Sequence, residues 1–270
     1  MTDIKNLTKR FGKKTVLNDV SIQLDTGVYA LLGPNGSGKT TLIRCIAGLY
    51  RYQGQINAPK QIGYLPQKFG AFPELRVGEV MAYFANLKKI PQKQQKQLIV
   101  EALEAVHLSD RKRSLMRSLS GGMVRRVGVA QALLGDPELV MVDEPTAGLD
   151  PEERLRFKNL IAERRKNETI LISTHIVEDV ETLCDHIIVL HEGKVLRQDT
   201  PENIRLAAAG HVYRVPEYRQ SQLTGDYYLL RKESVEGETC LRILSDTQQL
   251  GEPVAPTLED GYIYLIRGGK

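Results

Sequence analysis

The stretch "GPNGSGKT" places Gly33, Gly38, Lys39 and Thr40 at the spacing of a phosphate-binding loop. Glycines in such a loop let backbone N–H groups converge on phosphate oxygens, because no Cβ stands in the way. Lys39 is expected to reach the β- and γ-phosphates of a nucleotide, and the Thr40 hydroxyl to bind Mg²⁺. A second stretch, "LVMVDEP", ends an apolar run in two acids. Asp143 is expected to hold Mg²⁺ through water, and Glu144 to polarise an attacking water as a general base. His175 closes "TILISTH" and Gln67 closes "GYLPQ". Both end apolar runs, and ligands of parallel sheets sit at the carboxyl ends of strands. A further Ser-Gly-Gly turn, Ser120 to Gly122, opens directly into a helical stretch. It is a second seat suited to phosphate, through its free N–H groups and the positive end of the helix dipole.

These groups need a scaffold that brings several strand ends to one edge. The chain supplies alternating buried strands and amphipathic helices, the pattern of a parallel sheet covered on both faces. Residues 1–32 read as strands. "SGKTTLIRCIAGLY" reads as a helix opening on the glycine loop, and residues 76–134 as a helical block. "PEERLRFKNLIAERRKN" and "IVEDVETLCD" read as helices, and "HIIVLHEGKVL" as a hairpin turning at Glu192-Gly193. After residue 205 the style changes to short β-like pieces, ending in "GYIYLIRG", which together suggest a small extension over 206–270.

Composition narrows the function. The 270 residues are 41% hydrophobic and 26% charged, ordinary for a globular chain with a sizeable core. A net charge of +4 suits a phosphate ligand or an anionic membrane face, and with no tryptophan it argues against direct nucleic-acid binding. No apolar run reaches the roughly 18 residues that span a bilayer, and the first residues lack the apolar core of a secretion signal. The expected location is cytoplasmic. Cys45, Cys184 and Cys240 follow no metal-ligand spacing and read as core residues.

In order, the motifs resemble those of the nucleotide-binding subunit of ATP-binding-cassette (ABC) transporters, over about residues 2–205. "GPNGSGKTT" resembles the Walker A loop, "LPQ" the Q-loop and "LSGGM" the family signature. "LVMVDEP" resembles Walker B, "AGLD" the D-loop, and "STH" the switch-histidine loop. The resemblance implies an α/β P-loop NTPase (RecA-like) core, with an antiparallel β subdomain, the helical subdomain at about 76–134 and the accessory extension at 206–270. It implies that Gly33, Pro34, Asn35, Gly36, Ser37, Gly38, Lys39, Thr40 and Thr41 hold ATP with Mg²⁺. Phe11 stands where an aromatic ring stacks on adenine; the family often has tyrosine there. Gln67 would touch Mg²⁺ or the attacking water, and His175 would contact the γ-phosphate and orient the water.

The same resemblance accounts for the second phosphate seat. Ser120, Gly121 and Gly122 would bind ATP held by another ABC subunit, a copy or a different chain, and Asp150 would cross that interface. The product would be an ATPase, peripheral on the inner face of the cell membrane, that powers an integral membrane permease. Phe69, Phe72 and Leu75 either grip that permease or fill local core. Met123 departs from the commoner glutamine, and with the "LED" plus aromatic tail it points to an exporter-like branch. The alternatives are an importer ATPase, a soluble ABC protein acting on nucleic acid or ribosomes, and a non-catalytic regulatory cassette. The last predicts a missing acid or histidine, and both Glu144 and His175 are present.

Overall fold

A computed structural model describes residues 1–70, 72–146, 149–165, 168–247 and 251–269. The chain forms two compact units, Met1–Val195 and Leu196–Lys270. The first begins with β1 (Thr2–Phe11), β2 (Lys14–Leu24), β3 (Gly27–Leu32), α1 (Lys39–Ile46), β4 (Gln53–Asn57) and β5 (Ile62–Leu65). The helical block holds α2 (Val77–Leu87), α3 (Gln92–Ala105) and α4 (Gly121–Leu133). Then follow β6 (Leu139–Asp143), α5 (Pro151–Arg164), β7 (Thr169–Thr174), α6 (Val177–Leu183) and β8 (His186–His191). The division between units falls inside β9 (Lys194–Asp199).

The central sheet has the order β5-β6-β7-β3-β8-β9, and its first five strands are parallel neighbours. Strands β3, β6 and β7 are buried at every residue, which is why they read as unbroken apolar runs. Their alternate side chains feed two cores. Val28, Val140, Val142, Ile170 and Ile172 join one cluster with the helical block. Tyr29, Leu139, Met141 and Leu171 join the other with α1, β1 and β2. Each fully buried Leu, Ile or Val contributes about 1.5–3 kcal/mol of transfer free energy, so the sheet is held from both faces. A separate antiparallel sheet has the order β2-β1-β4.

The second unit holds α7 (Pro201–Leu206), β10 (Val212–Pro216), β11 (Tyr227–Val235), β12 (Glu238–Ser245), β13 (Glu252–Pro253) and α8 (Leu258–Ile266). Its sheet has the order β11-β12-β10-β13. Against the strand expected for "GYIYLIRG", Gly261–Ile266 lie in helix α8 and the last two residues form the turn after it. Its aromatic and β-branched residues imitate strand composition. The helix signals lie just upstream, where Thr257 and Asp260 form a reciprocal capping box. Leu258, Gly261, Tyr262 and Leu265 then bury one helical face at i, i+3, i+4 and i+7. A Cβ at Gly261 would sit 2.0 Å from the Ile204 carbonyl, so only glycine lets α8 lie this close to α7.

Among the described residues no helix is long and apolar enough to cross a membrane. The three cysteines are free thiols; Cys45 and Cys240 are buried and Cys184 is half-buried. Burial pushes the Cys45 thiol up to about 11 and the Cys184 thiol up to about 12. The basic end of "AERRKN" reaches Lys166 and Asn167, which lie outside the described residues.

Candidate functional site

The parallel sheet delivers the loops after β3, β5, β6 and β7 to its carboxyl edge. The loop after β3 is closed by its own chain. A Cβ at Gly33 would lie 2.1 Å from the Leu190 carbonyl of β8, so the backbone there is pressed against a strand. Gly38 caps α1 at φ 111 with no side-chain cap, in a region glycine alone adopts freely. The first N–H groups of α1 are therefore left for an anion. Lys39 is only 5% exposed, and its Nζ donates to the carbonyls of Gly33 (2.6 Å) and Pro34 (3.1 Å). Burial lowers its pKa, and the carboxylates of Glu144 and Asp143 oppose that shift. Ser37 is buried with an Oγ that finds no partner among the described residues. Pro34, Thr40 and Thr41 are half-buried, and Asn35 and Gly36 are exposed at the rim.

Asp143 ends β6 and is fully buried. Its Oδ1 accepts from Ser173 Oγ at 2.6 Å, while Oδ2 has no partner among the described residues. A buried, orphaned carboxylate oxygen is costly unless something else satisfies it, and an ion-bound water fits that need. No cluster of three His, Cys, Asp or Glu among the described residues could hold a metal by itself. A divalent ion at this edge would therefore draw further ligands from phosphate oxygens and from Thr40.

Glu144 follows in the left-handed region at φ 49, a conformation that costs an L-residue about 1–2 kcal/mol. Its N–H donates to Ser173 O at 3.0 Å, which ties the turn to β7. Its Oε2 accepts from Gln67 Nε2 at 2.9 Å, and its Oε1 lies 3.4 Å from His175 Nδ1. Three side chains from three strand ends thus meet on one carboxylate. The arrangement can hold a base in one rotamer beside a phosphate seat.

The other expected residues lie elsewhere. Phe11 is 45% exposed, edge-on to Tyr50 at 5.3 Å, with Lys9 Nζ 4.6 Å from its ring. Ser120 caps α4, its Oγ accepting from Met123 N–H at 3.2 Å, which leaves its own O–H to donate. A Cβ at Gly122 would meet Glu153 of α5, whereas a Cβ at Gly121 would meet none of the described residues. Asp150 caps α5, accepting from Glu153 N–H at 2.8 Å. The preceding D-loop residues Ala147 and Gly148 lie outside the described residues, as does Ala71 in "KFGAFPEL". Phe69, Phe72 and Leu75 are half-buried and packed against the helical core, with Phe69 5.9 Å and Phe72 6.4 Å from Phe84. The more exposed apolar side chains here are Tyr83 and Leu87 of α2, at 45% and 59%. Sequence inspection missed them because a helical apolar position is ordinarily buried.

Residues 17–147 match the family model described as ABC transporter. The chain is 32% identical over 265 residues to a Nod factor export ATP-binding protein I of Burkholderia lata, covering 92% of this chain and 87% of that one. It is 33% identical over 221 residues to the linearmycin resistance ATP-binding protein LnrL of Bacillus subtilis, covering 76% and 70%. A solved ATP-binding subunit of an ABC transporter matches with a TM-score of 0.69 and 30% identity, over 76% of this chain and 92% of that one. The chain belongs to the ABC transporter family. It is an ATP-binding subunit and an ATPase.

One residue of this ABC subunit escaped sequence inspection. Arg125 of α4 donates from Nε to Pro145 O (3.3 Å), from Nη1 to Pro66 O (3.3 Å) and Gln67 O (2.7 Å), and from Nη2 to Asp143 O (2.9 Å) and Glu144 O (2.6 Å). Its acceptors are backbone carbonyls, which carry no side-chain identity, so no motif announces them. The available signal was only that an arginine on a helix otherwise bound for the core must place its head somewhere polar.

Proposed function

We propose that this subunit hydrolyses ATP in a sandwich with a second ABC subunit and thereby drives export through a separate membrane permease, from the inner face of the membrane. The observation that carries the reading is the carboxylate of Glu144, held by Gln67 and His175 beside the buried, unpaired oxygen of Asp143. Lys39 and the N–H groups of the Gly33–Thr41 loop take the phosphates, and Phe11 offers an exposed ring to adenine. Thr40, Asp143 and Gln67 would hold Mg²⁺, which when bound offsets charge on the β- and γ-phosphates. Glu144 accepts a proton from the attacking water, Gln67 and His175 fix its direction, and His175 stands ready to contact the γ-phosphate.

The sandwich rests on Gly121. Its φ is not positive and none of the described residues crowds it, so neither backbone strain nor the described packing calls for glycine there. A second surface bringing a phosphate against the N-terminus of α4 does, with the Ser120 O–H and the Gly122 N–H as donors and Asp150 at the same interface. Charge on the γ-phosphate then holds the two subunits together until hydrolysis removes it. Export is supported by the relatives named for Nod factor export and linearmycin resistance, and by Met123 in the signature.

Glu144→Gln tests the reading. Turnover of ATP should fall by about 10²- to 10⁴-fold, the usual worth of a general base, while ATP affinity stays within about twofold. Turnover at the wild-type rate would remove Glu144 from the mechanism.

A further inference from the structure

The α4 helix starts at the Ser120 cap, and Arg125 lies five residues on, about 7.5 Å along the helix axis. From there its guanidinium makes five contacts to backbone carbonyls, as many as a guanidinium has N–H donors. The acceptors belong to two turns only. One carries Gln67; the other carries Asp143 and Glu144. Side chains from those turns meet at the 2.9 Å Gln67–Glu144 bond. The turn at Glu144 is in the left-handed region, and three successive carbonyls, those of Asp143, Glu144 and Pro145, converge on the guanidinium. Without a donor there, carbonyl dipoles would point together with nothing between them.

We propose that Arg125 is a positioning residue for hydrolysis: by bridging the Gln67 and Glu144 turns from α4, it sets the alignment of Gln67 on Glu144 and ties that alignment to where α4 sits. This rests on the reading of Glu144 as the hydrolytic base. The hydrogen bonds of Arg125 go to the carbonyls of these two turns, and its part is played through them. Burial lowers its pKa, and the carboxylates of Asp143 and Glu144 oppose that shift; a guanidinium is in any case protonated in proteins. Its neighbour Arg126 reaches the other way, to the carbonyls of Val106 and His107. The task at the hydrolytic edge is therefore that of Arg125. A lysine would keep the charge, but a single ammonium has three donors on one atom and does not span carbonyls on two turns.

The test is steady-state ATP hydrolysis and fluorescent-ATP binding by R125Q and R125K, with E144Q measured alongside. R125Q should lower kcat on the order of 10- to 100-fold, as small misplacements of a catalytic group do, and leave ATP affinity and KM within about twofold. R125K should fail to rescue kcat, and it supplies the same measurement if R125Q does not fold. Adding R125Q to E144Q should give no further fall, because both act through one carboxylate. A kcat within twofold of wild type in either folded variant overturns the proposal. So does a parallel loss of ATP affinity, or full rescue by lysine. Wild-type turnover in E144Q would instead fail the reading of Glu144, and is told apart by that variant alone.

Discussion

Two helices of this subunit begin at glycine-rich turns, and they begin differently. At α1 the seat is enclosed: Gly33 lies against Leu190, Lys39 is folded onto the loop carbonyls, and Gly38 takes a left-handed φ. At α4 the seat is open: Ser120 caps its own helix, a Cβ at Gly122 would meet Glu153, and a Cβ at Gly121 would meet none of the described residues. The first seat has the glycines its own backbone demands. The second has a glycine that no described residue crowds, which is what the proposed shared site calls for. On the proposed function, the closed seat is complete in one chain and the open seat is shared between two, and what crowds each Cα separates them.

The largest effect expected from this contrast comes from Lys39→Ala. Removing the buried cation from the closed seat should lower ATP turnover by at least on the order of 10²-fold and weaken ATP binding in the monomer, read by fluorescent-ATP titration. Next is Ser120→Arg, which should abolish ATP-driven dimerisation in the E144Q background, measured by light scattering, while monomer binding of ATP stays within about twofold of its parent. Lost monomer binding would mean that the open seat belongs to the same site as the closed one. A matched pair of alanines gives the smallest and sharpest comparison. Gly33→Ala drives a Cβ into the Leu190 carbonyl and should cost about 1–3 kcal/mol in chemical denaturation. Gly121→Ala meets open space and should leave stability within about 0.5 kcal/mol, yet weaken the ATP-driven dimer. Equal destabilisation by both would erase the distinction.

Much of the site was legible because its parts are local. A loop between a strand and a helix, two acids ending an apolar run, and a histidine ending another each carry their chemistry in a few adjacent residues. The two-faced burial of β3, β6 and β7 was legible for the same reason, since it shows as apolar runs without alternation. The C-terminal helix was misread because "YIYLI" satisfies strand composition, while the deciding cap pair, Thr257 and Asp260, sits outside the apolar run. Residue type alone does not decide between partner grip and local packing for Phe69, Phe72 and Leu75, because an apolar loop residue has the same composition either way. The structure shows them packed against the helical core.

By itself the sequence determined the chemistry on offer: which groups are suited to phosphate, which acid can accept a proton, and the order of strands and helices that carries them. That follows from residue type and short spacing, both written in the chain. Only the tertiary structure decided how these groups meet. It put Gln67 and His175 on one Glu144 carboxylate and left Asp143 Oδ2 unpaired. It aimed five carbonyls at Arg125 and opened the space around Gly121. Every residue has the same carbonyl, and empty space has no residue at all, so neither leaves a mark in the sequence until the sheet brings distant turns to one edge.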